Sequence, residues 1–192
     1  MELVFATANQ NKAKEIQTLI PSFIKIKSLN DINCLEDIPE TQSTIEGNAS
    51  QKAFYVFEKY NVNCFADDTG LEVEALNGRP GVLSARYAGE AKDANANMDK
   101  ILLELDGVEN RKARFKTIIS LVINGEQRLF EGIVDGVILK DKLGSQGFGY
   151  DPIFVPNGYD KTFAELSIAE KNKISHRGRA VNKLVEYLNQ LA

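Results

Sequence analysis

The stretch RFKTIISLVINGEQRLFEGIVDGVIL, residues 114–139, decides how the sheet of this protein is organised. Its two arms, Arg114 to Ile123 and Arg128 to Leu139, are rich in β-branched and aromatic side chains, which pack well on a pleated surface. Between them, Asn124-Gly125 tolerates the positive φ angles that a tight two-residue turn demands. A long hairpin is predicted there. Towards the N-terminus, Leu3 to Ala6 is a short apolar run closed by Thr7-Ala8-Asn9-Gln10-Asn11-Lys12. Ala13, Ile16, Leu19 and Ile20 then recur at helical spacing, which gives strand, polar turn, helix. Ile24 and Ile26, alternating with lysines, predict a second strand. Ser43 and Glu46 form a capping-box pattern opening a helix with the inward stripe Ile45, Ala49, Ala53, Val56, Phe57 and Tyr60. Asn48 and Lys52, four apart, share another face of that helix. Phe65-Ala66 lead into Asp67-Asp68-Thr69-Gly70, a strand running into a polar turn.

Asn77 to Gly89 reads as an ordered loop, and Asp93 to Leu105 as a helix. Gly144 to Pro152 is a glycine-rich loop before Ile153-Phe154-Val155. A second capping box, Ser167 to Glu170, begins the C-terminal part. There Val181, Leu184, Val185, Leu188 and Leu191 mark an amphipathic helix. Helices interleaved with strands, plus one long hairpin, give the α/β class with a mixed sheet.

Composition narrows the function. With 192 residues, 43% of them hydrophobic, the chain builds a full core, and no stretch reads as a linker, so residues 1–192 are expected to form one domain. The 23 basic residues are scattered among 27 acidic ones, for a net charge of −4. That disfavours a nucleic-acid polymer and suits a small anionic ligand. Cys34 and Cys64 form no CxxC pair, so zinc or redox motifs are not indicated, and isolated cysteines suit a reducing cytoplasm. The N-terminal apolar run lacks a basic leader and reads as a first strand, and no apolar run is long enough to span a membrane.

Four segments can carry chemistry. Thr7 to Lys12 sits where a helix N-terminus attracts phosphate, with Lys12 adding a point charge, although simple capping by Thr7 or Asn9 explains it as well. Asp67-Asp68 reads equally as turn chemistry and as a carboxylate pair whose repulsion is offset by a cation. In Phe148-Gly149-Tyr150-Asp151-Pro152, glycine permits close approach, aromatic rings can stack on a base, and Asp151 can bind a ligand or fix the loop. Lys171 with Ser175-His176-Arg177 forms a dense donor cluster around the single histidine, suited to an anion or to carbonyl oxygens, although a purely structural histidine explains it as well. Glu40 after Pro39 reads as a solvated turn residue.

Together these segments resemble the Ham1-type inosine triphosphate pyrophosphatase family, the XTP/dITP diphosphatases. The resemblance rests on Thr7 to Lys12, Glu46-Gly47-Asn48-Ala49, Ala66 to Leu71 and Pro80 to Tyr87. It continues through Gly147 to Pro152, Glu170-Lys171 and Ser175-His176-Arg177-Gly178, in family order along essentially the whole chain. Ala8 departs from the glycine that many members carry.

The resemblance implies an elongated two-lobed α/β fold with a mixed sheet and the active site in a central cleft. It implies Mg²⁺-dependent hydrolysis of ITP, dITP or XTP to the monophosphate and pyrophosphate, by a cytoplasmic homodimer. Carried over by position, Asp68 is the proton acceptor and, with Glu40, a metal ligand. Thr7, Ala8, Asn9, Gln10, Asn11 and Lys12 contact the phosphates, and Thr69 touches the substrate. Phe148, Gly149, Tyr150, Asp151, Lys171, His176 and Arg177 line the nucleoside pocket. Two alternatives stand beside it: a Maf-like pyrophosphatase of pyrimidine or modified nucleotides, and a nucleotide sensor without catalysis.

Overall fold

A computed structural model describes residues 1–191. A six-stranded sheet has the order β2-β1-β3-β4-β5-β6, with β1 Glu2–Phe5, β2 Lys25–Lys27, β3 Cys64–Val73, β4 Lys112–Ile123, β5 Glu126–Ile138 and β6 Phe154–Pro156. β1 runs parallel to β2 and β3, whereas β5 and β6 are antiparallel, so the sheet is mixed as expected. The hairpin β4–β5 turns on Asn124 (φ 51°) and Gly125 (φ 84°), the left-handed pair that a two-residue turn uses. Among the described residues five α-helices accompany the sheet: α1 Gln10–Leu19, α2 Ile45–Tyr60, α3 Ala94–Glu104, α4 Ile168–Ile174 and α5 His176–Gln190. Among the described residues no helix is long and apolar enough to cross a membrane.

The chain groups into two compact units. The first comprises Met1–Asp68, Thr117–Gly132 and the chain from Arg177 on; the second comprises Thr69–Lys116 and Ile133–His176. In the first unit, strand alternation divides the apolar side chains between two clusters. Leu3, Phe5 and Phe65 pack with Ile16 of α1 and Ala180, Val181, Leu184 and Leu188 of α5. Val4, Ala6, Cys64 and Ala66 pack with Ala53 and Val56 of α2. The second unit has its own core, in which Leu71, Val73, Phe115 and Ile138 meet Met98, Ile101 and Leu105 of α3, along with Phe154 and Phe163.

Several local expectations need correction. Asp67-Asp68-Thr69-Gly70 is not a turn: β3 continues through it to Val73, with Leu71 and Val73 wholly buried. Burial along the strand overrides the turn propensity of those four residues. The cap of α2 is Thr44 and not Ser43; its hydroxyl accepts from the Gly47 backbone N–H at 3.0 Å. Starting at Ile45 places Ile45, Ala49, Ala53 and Val56 inward, while Phe57 and Tyr60 are only half-buried. Leu191 lies beyond α5 and is exposed. The loop Asn77 to Gly89 contains the 3-10 turn Gly81–Arg86, and the Ser167–Glu170 capping box forms as expected.

Candidate functional site

Because Asp67 and Asp68 lie within a strand, their side chains leave on opposite faces. Asp67 shares the face of Phe65, covered by α1 and α5. There Lys12 Nζ lies 3.1 Å from Asp67 Oδ1, and Arg177 Nε lies 3.3 Å from Oδ2. Arg177 Nη1 reaches Glu15 Oε2 at 2.5 Å. Lys12, Asp67, Arg177 and Glu15 thus form one alternating chain of charges, three of them buried. Burial alone would raise the Asp67 carboxyl, but Lys12 and Arg177 outweigh it and hold the group at about 2. Burial also raises the demand on the cations: it pulls the Lys12 ammonium down, against the opposing pull of Asp67.

Asp68 faces the other way, towards α2. Lys52 Nζ lies 3.5 Å from Asp68 Oδ1 and 2.5 Å from Glu40 Oε1. Asp68 Oδ2 is buried and accepts no hydrogen bond among the described residues. Burial pushes the Asp68 pKa up; Lys52 and Lys12 counter this, while Glu40 and Asp67 add to it. Neighbouring carboxylates are therefore tuned in opposite directions, one fixed as an anion and one inclined to take a proton. Such divergence separates a structural acid from a reactive one. Lys52 keeps its proton: burial opposes the charge, but Asp68 and Glu40 outweigh it and raise the pKa.

Asn9 caps α1, its side chain accepting from the Asn11 and Lys12 backbone N–H groups, and Thr7 Oγ1 accepts from the Asn9 N–H. Thr7 and Asn9 thus cap the start of α1. Ala8, Asn9, Gln10 and Asn11 are exposed, Thr7 is half-buried, and Lys12 turns inward to Asp67.

In the second unit, Asp151 organises the glycine-rich loop. Its Oδ2 accepts from the Phe148 backbone N–H at 2.9 Å and from Lys171 Nζ at 2.6 Å, both carboxylate and ammonium being buried. Lys171 Nζ also lies 4.9 Å from the centre of the Phe148 ring, which leaves that ring half-buried. His176 is buried and stacked on Phe115, with centroids 4.5 Å apart at 14°. Its ring plane is therefore fixed by packing. Tyr150 is placed in the core, where its hydroxyl donates to the Ser84 carbonyl at 2.7 Å. Gly149 (φ 64°) and Thr69 are half-exposed positions.

Gly147 holds φ +72°, and a Cβ there would run into the Asp151 carboxylate. Gly147→Ala is expected to cost roughly 1–3 kcal/mol and to loosen the Asp151–Lys171 pair. Urea denaturation checks the first effect; unchanged stability would show that the loop does not depend on this approach.

Comparison with known proteins places this arrangement. The sequence model of the Ham1 family matches residues 3–187. The chain belongs to the Ham1 family. Among relatives of this Ham1-family chain, a "dITP/XTP pyrophosphatase" of Flavobacterium psychrophilum is 62% identical and covers 97% of this chain and 98% of its own. A Bacillus subtilis protein of the same name is 48% identical, over 97% and 96% of the two chains. The solved Staphylococcus aureus Ham1 protein superposes with a TM-score of 0.91 at 41% identity, covering 100% of both chains.

Two residues of this Ham1-family chain were passed over as site candidates in the sequence. Lys52 looks like an ordinary polar helix residue, and only its partners reveal its use; its spacing from Asn48 is the one local hint. Glu15 lies three residues from Lys12, on the same helical face, which is the signal that could have found it.

Proposed function

We propose that this Ham1-family chain hydrolyses non-standard purine nucleoside triphosphates (ITP, dITP and XTP) to the monophosphate and pyrophosphate, with Mg²⁺. The observation that carries this is the division of labour between Asp67 and Asp68: one saturated by Lys12 and Arg177, the other with a buried, unclaimed oxygen. The names of the relatives support the substrate class.

The donor set fits Mg²⁺. Among the described residues no three His, Cys, Asp or Glu side chains cluster as a complete cage. Mg²⁺ commonly takes only one or two carboxylates, with phosphate oxygens and water filling the rest. Glu40 and Asp68, brought together by Lys52, are those carboxylates. When bound, the ion supplies neutralisation of the phosphate oxygens and orientation of a water.

The chain's own residues do the remainder. Asp68 Oδ2 takes the proton from the attacking water as its oxygen forms a bond to the α-phosphorus. The α–β anhydride bond breaks, and pyrophosphate leaves with the electron pair. Lys12, at the positive N-terminal end of α1, steadies its charge. Phe148 stacks on the purine, with Gly149 allowing close approach and Lys171–Asp151 holding the loop in place. Donors from His176 and Arg177 read the 6-oxo group of inosine or xanthine and mismatch the amino group of adenine. The same reading takes the enzyme to be a homodimer in the cytoplasm, where the free, buried Cys34 and Cys64 are suited to reducing conditions.

A panel of kcat/KM values for ITP, XTP, ATP and dTTP tests the pocket. ITP is expected to exceed ATP by about 10²-fold or more, since a hydrogen-bond mismatch in a built site discriminates strongly. A preference for dTTP would overturn the purine assignment.

A further inference from the structure

Lys52 is buried at 6% exposure, and its ammonium is the shared cation of Glu40 and Asp68. Those are the two carboxylates assigned to the metal above, so this step rests on that reading. A dication arriving alone meets a pair whose repulsion is already compensated. To bind, it must displace an ammonium from two anions and leave that ammonium buried without them, which is costly. A triphosphate changes the balance, because its oxygens give the ammonium new charge-assisted partners.

We propose that Lys52 is a placeholder cation: it holds Glu40 and Asp68 before substrate arrives and releases them to the metal only when the triphosphate takes it over. Metal and nucleotide then bind with positive coupling, each strengthening the other by the same factor. Removing the ammonium leaves two like charges facing one another, which a divalent ion relieves. A Lys52 variant without charge therefore gains affinity for metal alone while losing the coupling.

Mn²⁺ binding, followed by the electron paramagnetic resonance of the free ion, reads this without any turnover. Nucleotide-free wild-type protein is expected to bind Mn²⁺ weakly. K52M and K52Q are expected to bind it at least about fivefold more tightly, and K52R as wild type does. Adding the non-hydrolysable α,β-methylene analogue of ITP should raise wild-type Mn²⁺ affinity by at least about fivefold, and that of K52M by much less. Thermal denaturation reports whether the variants are folded. Folded K52M or K52Q binding Mn²⁺ no more tightly than wild type would overturn the proposal. If neither folds, wild type decides: equal Mn²⁺ affinity with and without the analogue overturns it. Failure of the pyrophosphatase reading would instead appear as the wrong product or substrate, which this titration does not measure.

Discussion

Asp68→Asn is expected to lower kcat by about 10³-fold or more while leaving the affinity for the α,β-methylene analogue of ITP, measured without metal, within a few-fold. Asparagine keeps the shape of the side chain and one oxygen acceptor. It cannot take a proton, and it offers a weaker ligand to a cation. The loss therefore falls on the chemical step, and kcat and kcat/KM should drop together. The pH dependence sharpens the test. Burial raises the Asp68 pKa, so in the wild type kcat/KM should rise with pH through a limb lying above the ordinary carboxylate value of 3.8. That limb should vanish from the residual activity of Asp68→Asn. Near-normal kcat, or an unchanged acid limb, would remove Asp68 from the role of base. Asp67→Asn is a different experiment, because Asp67 is committed to Lys12 and Arg177 and its loss unties both.

The second large effect concerns stability. Arg177→Ala removes the buried guanidinium that pairs with both Glu15 and Asp67, and is expected to cost about 3–5 kcal/mol. That is a large share of a typical folding free energy of about 5–15 kcal/mol. Glu15→Ala removes the other end of the chain of charges and should also destabilise. The double variant should lose less than the sum, because the two groups answer one another. Urea denaturation of the two single variants and the double variant measures this. Additive losses would show that the pair acts independently.

The same network fixes an acid dependence. Asp67 is held at about 2 in the folded protein, below the ordinary 3.8. A depressed folded-state pKa favours the folded form above the unfolded value, by about 2 kcal/mol here. That contribution is lost as pH falls from about 4 through about 2. Without Arg177 the Asp67 pKa rises, and acid unfolding should begin at higher pH.

Much of this architecture was legible from local pattern. The hairpin followed from β-branched arms around Asn124-Gly125, and the first strand-turn-helix from a short apolar run and a polar cap, which Asn9 supplies. Asp67-Asp68 was harder. Its residues suit a turn, and only the apolar continuation through Leu71 and Val73, buried in the second unit, keeps the strand going. That one difference decides the chemistry. In a turn the two carboxylates would compete for one space; in a strand they face different helices and acquire different pKa values.

Lys52 and Glu40 were illegible for a related reason. A lysine on a helix is usually solvated, and a glutamate after a proline usually belongs to a turn. Each becomes meaningful only beside the other and Asp68, a pairing set by the packing of α2 on β3. Arg177 shows the converse. The resemblance makes it a base-reading donor beside His176; what the structure shows is its pairing with Glu15 and Asp67 in the first unit.

The first phosphorus-containing product released from ITP in Mg²⁺, followed by ³¹P NMR with no second phosphatase present, tests the function most directly. Inorganic pyrophosphate rising one-for-one with IMP is the predicted result. Orthophosphate and IDP as first products would contradict it, because they place the attack at the γ-phosphorus.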